Sequence, residues 1–216
     1  MIGGTIPGMP VVLTGRSADL GWGLTTAYVD DQDVYIEELN PDNSEEYRTP
    51  DGFKKFRKRS SIINIKDRDP VTVTLRWTEN GPVLPGSHYD LGTVTPPGHV
   101  ASVASTLFSD TDSSLAAAMR VMRAKSVQQA INAAEDYVAP AQNLTLVDRD
   151  TIAMKTIGAL PRRDAAHHSQ GRMPSPGRLE ANRWDGMMAY AANPEFIAPA
   201  GRRALHTTEP AAEAPR

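Results

Sequence analysis

Strand-like alternation brackets this chain on both sides of two short helical stretches, and that order limits the fold more than any other property. Val71, Val73, Leu75 and Trp77 alternate with Thr72, Thr74 and Arg76, the period-two pattern of a half-buried strand. Residues 61–66 read as its antiparallel partner across Asp67-Arg68-Asp69-Pro70. Residues 11–14, 20–28 and 34–39 also have strand content, whereas 3–10 read as a loop. Residues 40–51 carry Asn-Pro, Thr-Pro and Asp-Gly and read as turns. Helical spacing occurs twice. Leu115, Ala118, Met119 and Met122 follow Asp112 or Ser113 as N-cap. Val127, Ala130, Ile131 and Ala134 follow Ser126, with Gln129 in capping-box position. Residues 143–147 and 152–157 form a closing hairpin. Strands, a helix pair and strands again define an α+β chain with an antiparallel sheet. Periodicity is lost beyond Pro161. Residues 1–199 are expected to form one domain and 200–216, which have no apolar face, a disordered tail.

Composition narrows the function classes. A length of 216 residues suits one sizeable domain or two small ones. A net charge of −3 supplies no global basic field, so no nucleic-acid partner is expected. Cysteine is absent, which removes disulfides, thiol catalysis and Cys-based zinc sites together. No apolar run approaches the roughly 18–20 residues of a membrane span. Residues 1–13 lack a basic flank and a long apolar stretch, so they do not read as a signal peptide, and the compartment stays open.

Three clusters invite a chemical reading. Asp30, Asp31 and Asp33 lie within four residues, and calcium takes six to eight oxygens from such turns. The spacing is not that of an EF-hand, and a solvated turn between strands is the competing account. Lys54, Lys55, Arg57, Lys58 and Arg59 surround Phe56 and read as a strand edge protected by charge. His167 and His168 diverge and lack a third metal ligand with suitable spacing, so they read as a flexible loop. No Gly-x-Ser-x-Gly elbow exists. A catalytic N-terminus would need Ser, Thr or Cys with a free amine, and Met1-Ile2 does not supply one.

Ordered blocks covering about residues 3–199 resemble the β chain of penicillin acylases. The stretch from Pro10 to Gly23 is similar to the family's Pro-x-x-x-x-Gly-(His/Arg)-(Asn/Ser)…Trp-Gly run. Residues 31–37 (DQDVYIE) resemble its Asp-x-Gln-Asp-x-Tyr-x-Glu segment. Residues 76–83 (RWTENGPV) resemble Arg-x-Thr-x-His-Gly-Pro-(Val/Ile), with Asn80 where His is usual. Residues 143–148 with 158–163 (GALPRR), then 173–177 with Trp184-Asp185-Gly186, resemble the blocks that follow.

The resemblance implies a partial αββα sandwich of the N-terminal-nucleophile-hydrolase kind. It implies hydrolysis of amide bonds in penicillins, cephalosporins, acyl-homoserine lactones or related small N-acyl compounds, through an acyl-enzyme. Carried over, Thr26 gives a backbone oxyanion donor. Thr14, Leu24 and Gln142 border the acyl pocket. Asp30 and Asp33 are calcium carboxylates, with Gln32 adding its carbonyl oxygen. The family's Ser-Asn-x-Trp start and its oxyanion Asn are not found, so the chain by itself is expected to be inactive. It is expected to be completed by an α chain and the remainder of a β chain. A non-enzymatic calcium- or ligand-binding remnant is the alternative.

Overall fold

A computed structural model describes residues 1–199 of the chain. The tail expected over 200–216 lies outside the described residues. In chain order the strands are β1 (Ile2–Gly4), β2 (Thr14–Arg16), β3 (Gly21–Thr26), β4 (Gln32–Asn40), β5 (Asn43–Thr49), β6 (Gly52–Lys55), β7 (Arg57–Ile63) and β8 (Val71–Trp77). They continue with β9 (Val83–Leu84), β10 (His99–Ser105), β11 (Gln142–Val147), β12 (Thr151–Ile157), β13 (Pro161–Arg163), β14 (Ser175–Pro176), β15 (Trp184–Met187) and β16 (Glu195–Pro199). Two helices, α1 (Ser114–Val121) and α2 (Val127–Ala133), fall between β10 and β11. The expected α+β class with antiparallel sheets is what the chain adopts. It divides into two compact units, one of Met1–Asp31, Ser109–Pro161 and the residues from Met187, the other of Gln32–Phe108 and Arg162–Gly186.

The first unit holds an antiparallel sheet ordered β1-β2-β3-β11-β12-β16. Leu144 and Leu146 on β11, Trp22 on β3 and Ile157 on β12 form one apolar cluster with Val121, Val127 and Ile131 of the helices. Full burial of each large aliphatic side chain contributes about 1.5–3 kcal/mol. The α2 start follows the expected chemistry: Ser126 Oγ accepts from the Gln129 amide at 3.3 Å, and Gln129 Oε1 accepts from the Lys125 amide at 3.0 Å. Two strands depart from the sequence reading. β1 forms inside the expected loop because Gly3 and Gly15 are register partners whose backbones touch, and a Cβ on either would collide with its neighbour. β16 closes the far edge against β12, from a segment with no visible periodicity.

In the second unit the sheet order is β6-β5-β4-β10-β9, with β14 parallel beside β4. β4 and β10 pair from Gln32↔Ser105 to Glu38↔His99. β5 replaces the expected turns. Its Tyr47 and Thr49 are buried, and the Tyr47 ring stacks on Phe56 with centroids 5.0 Å apart. β7 and β8 form a separate two-stranded ribbon, in register from Arg57↔Trp77 to Ile63↔Val71. The alternation expected of β8 is present, but only Val73 and Trp77 of its apolar face are half-buried. Val71 and Leu75 are each 46% exposed.

Candidate functional site

Trp22 anchors β3 by burying its ring and donating from Nε1 to the Val12 carbonyl at 2.8 Å. On one side β3 pairs with β11 along its length, Asn143 opposite Thr25 and Gln142 opposite Thr26. The next amide, that of Ala27, donates to the Ala141 carbonyl at 3.3 Å. Successive amides of a strand face opposite edges, so the N–H groups of Leu24 and Thr26 face the β2 side. There the ladder stops at Trp22, opposite Gly15. Leu13, whose amide would next meet Leu24, donates instead to the Gly4 carbonyl at 2.9 Å. The Thr26 amide therefore points along an edge from which the neighbouring strand has withdrawn. A backbone donor kept out of the ladder in this way is what stabilisation of a transient oxyanion requires.

The residues expected to border an acyl pocket have different surroundings. Gln142 is half-buried opposite Thr26, and the Thr14 side chain is exposed, its Oγ1 donating to the Trp22 carbonyl at 3.4 Å. Leu24 lines an apolar gap with Val12, Trp22, Tyr137 and Leu144. The gap measures about 20 Å³. Small-molecule pockets run to roughly 300–1,000 Å³, so this gap by itself holds no acyl group.

In the second unit, β4 turns Asp33, Tyr35 and Glu37 onto one buried face, as strand alternation dictates. Asp33 accepts a bidentate pair from Arg163, at 2.7 Å from Nη2 and 2.9 Å from Nε, and a further bond from Trp184 Nε1 at 2.7 Å. His167 is buried beside it, with Nε2 3.6 Å from Asp33 Oδ2. His167 Nδ1 accepts from the amides of Ser169 and Gln170, which fixes the neutral tautomer with its proton on Nε2. Burial holds the imidazole below its usual pKa, opposed by the Asp33 charge. His167 is thus a structural core residue, not part of the flexible loop expected. Burial, reinforced by Asp33, pushes the Tyr35 hydroxyl pKa upward, and that hydroxyl donates to the Asn182 carbonyl at 2.9 Å.

Glu37 is fully buried and gathers three neutral donors on one oxygen. Ser102 Oγ lies 2.7 Å from Oε1, Asn80 Nδ2 2.9 Å and Thr78 Oγ1 3.0 Å. Oε2 has no hydrogen-bond partner among the described residues and faces Gly177. Asn80, which departs from the family pattern, is one of the donors that hold this carboxyl. Arg163, Gly177, Trp184, Thr78 and Asn80 belong to separate blocks of the sequence. The structure brings Arg163 and Trp184 to Asp33, and Thr78, Asn80 and Gly177 to Glu37, two clusters on one face of β4.

This donor set does not fit a calcium ion at Asp33. Both oxygens of its carboxylate are engaged by N–H donors, and no group of three or more His, Asp or Glu side chains among the described residues could hold a metal. Asp30 is an exposed residue of the first unit; Gln32 opens β4 in the second.

Comparison with known proteins gives the family of a chain with these motifs in this order. The family model for penicillin amidase matches residues 1–207, so the chain belongs to the penicillin amidase family. It is 28% identical over 189 residues to the acyl-homoserine lactone acylase QuiP of Pseudomonas aeruginosa, a match covering 85% of this chain and 22% of that protein. To penicillin G acylase of Escherichia coli it is 24% identical over 191 residues, covering 88% of this chain and 21% of that one. The thermostable penicillin G acylase of Alcaligenes faecalis shares the fold, with a TM-score of 0.83 at 24% identity over 98% of this chain and 37% of its own. The chain therefore spans about a fifth of the length of the curated relatives it matches.

Proposed function

We propose that this chain supplies part of the active site of an acylase that hydrolyses the amide bond of small N-acyl compounds. β-Lactam amides and acyl-homoserine lactones, named in its relatives, are the substrate classes. The observation that carries the reading is the Thr26 amide on the edge that β2 leaves. In this scheme a serine from outside these residues attacks the acyl carbonyl and passes its proton to its own α-amine. The tetrahedral oxyanion receives a hydrogen bond from Thr26 N–H, the C–N bond breaks as the α-ammonium gives its proton to the leaving amine, and water then hydrolyses the acyl ester and restores the serine. Thr14, Leu24 and Gln142 are assigned to the wall beside the acyl group on family resemblance. An α chain and the remainder of a β chain complete the site. The chain by itself transfers no acyl group, because Thr26 stabilises a charge that a nucleophile must first create.

The test is an amine-release assay on the purified chain with a chromogenic N-acyl amide. No release above background is expected. Release that disappears in Thr5→Ala would show a nucleophile on this chain and overturn the reading. No step runs through calcium, since Arg163 already sets a positive charge against the Asp33 carboxylate. The melting temperature is expected to be the same in calcium and in chelator. A rise with calcium would restore the metal-binding alternative.

A further inference from the structure

We propose that the β7–β8 ribbon is a docking surface for an acidic, apolar-faced polypeptide segment of the same acylase, one that these 216 residues do not contain. Strand alternation and the register put Ile63, Val71, Val73, Leu75 and Trp77 on one face of the ribbon together with Arg57 and Arg59. Ile63, Val71 and Leu75 are 46–49% exposed, and the ribbon pairs with no further strand of a sheet. An isolated two-stranded hairpin is marginally stable in water, so a face of this composition calls for a cover. The cations give the sign of that cover. Arg57 lies over Trp77 with its guanidinium carbon 5.0 Å from the ring centroid, and Arg59 sits directly across from Leu75. Neither arginine has an ion pair among the described residues, whereas nearby Lys54 and Lys58 are matched by Glu79 and Glu45.

Charge complementarity therefore selects carboxylates set beside an apolar stripe. A second copy of this chain would oppose its own Arg57 and Arg59 across an isologous interface, bringing like charges together. A lipid surface favours cations at the rim of an apolar patch, yet here Arg59 lies within the apolar face. The relatives supply the source: about four fifths of their length has no counterpart in this chain. The proposal rests on the reading that further acylase polypeptide completes the molecule.

The test titrates the purified 216-residue chain with overlapping synthetic peptides that together span the part of Alcaligenes faecalis penicillin G acylase outside the structural match, and measures affinity and amide exchange. Residues 57–63 and 71–77 are expected to gain protection. Arg59→Glu and Leu75→Glu are each expected to weaken binding by about tenfold or more, the loss typical of a contact that dominates an interface. Both positions are exposed, and an unchanged melting temperature controls for folding. Binding that neither substitution affects would overturn the docking surface and leave the partner reading standing. Absence of binding would overturn both. Concentration-dependent dimerisation through the ribbon, or binding to phosphatidylserine vesicles lost in Arg59→Glu, would overturn it in favour of another occupant.

Discussion

Asp33 is 3% exposed and closes a bidentate pair with Arg163, 130 residues further along the chain. Removing one partner of a buried pair leaves an uncompensated charge, so Asp33→Asn is expected to cost about 3–5 kcal/mol. Urea denaturation checks this, and an apolar replacement of both partners, Asp33→Leu with Arg163→Met, should recover much of the loss. If the Asn variant unfolded at the wild-type midpoint, the pair would not be structural. Glu37 gives a second residue-scale outcome. A methyl group added at Gly177 would run into its unpartnered Oε2, so Gly177→Ala should cost about 1–3 kcal/mol, as overpacking does. That Asp33, Tyr35 and Glu37 share a face was legible from their spacing of two. Their partners were not, because a hydrogen bond between β4 and a loop far along the chain leaves no local pattern. Nothing in the sequence near Asp33 signals that an arginine of the same chain supplies a positive charge beside it.

At the scale of elements, one carboxylate joins the first turn of α2, beside its Ser126 cap, to the β11–β12 turn. Asp148 Oδ2 accepts from the Val127 amide at 2.8 Å, and Oδ1 from the amides of Asp150 at 3.0 Å and Thr151 at 2.8 Å. These bonds hold its pKa below the usual carboxylate value, the Val127 amide first among them. A depressed pKa gives stability that is present above the unfolded value, about 3.9, and is lost as pH falls through the folded one. Asp148→Ala should lower stability at pH 7 by about 1 kcal/mol, as loss of a cap does, and should flatten the decline below pH 4 in thermal melts. α2, β8 and the β11–β12 hairpin were legible because their apolar periods are strong. The position of α1 was legible too, but its buried face is Ala117 and Val121, and Leu115 of the expected face is 46% exposed. β1 was hidden by its two glycines, whose role is close backbone approach. β5 was hidden by the acidic, turn-like residues that precede its two buried positions.

For the whole molecule, family and fold class are set by the match over residues 1–207 and the likeness to penicillin G acylase. The residues that announce the family do two different jobs in the two units. Those around β4 are bound to one another, whereas β3 keeps an edge from which β2 has withdrawn. The chain alone is expected to be catalytically silent and indifferent to calcium. The direction of one amide, that of Thr26, decides most about this chain. Residue-resolved hydrogen exchange by NMR tests that directly. The Thr25 amide, facing β11, should exchange only through large openings of the sheet, while the Thr26 amide exchanges nearly as fast as an unstructured peptide. A Thr26 amide protected as strongly as that of Thr25 would mean that it is bonded within the fold. The oxyanion assignment would then be wrong.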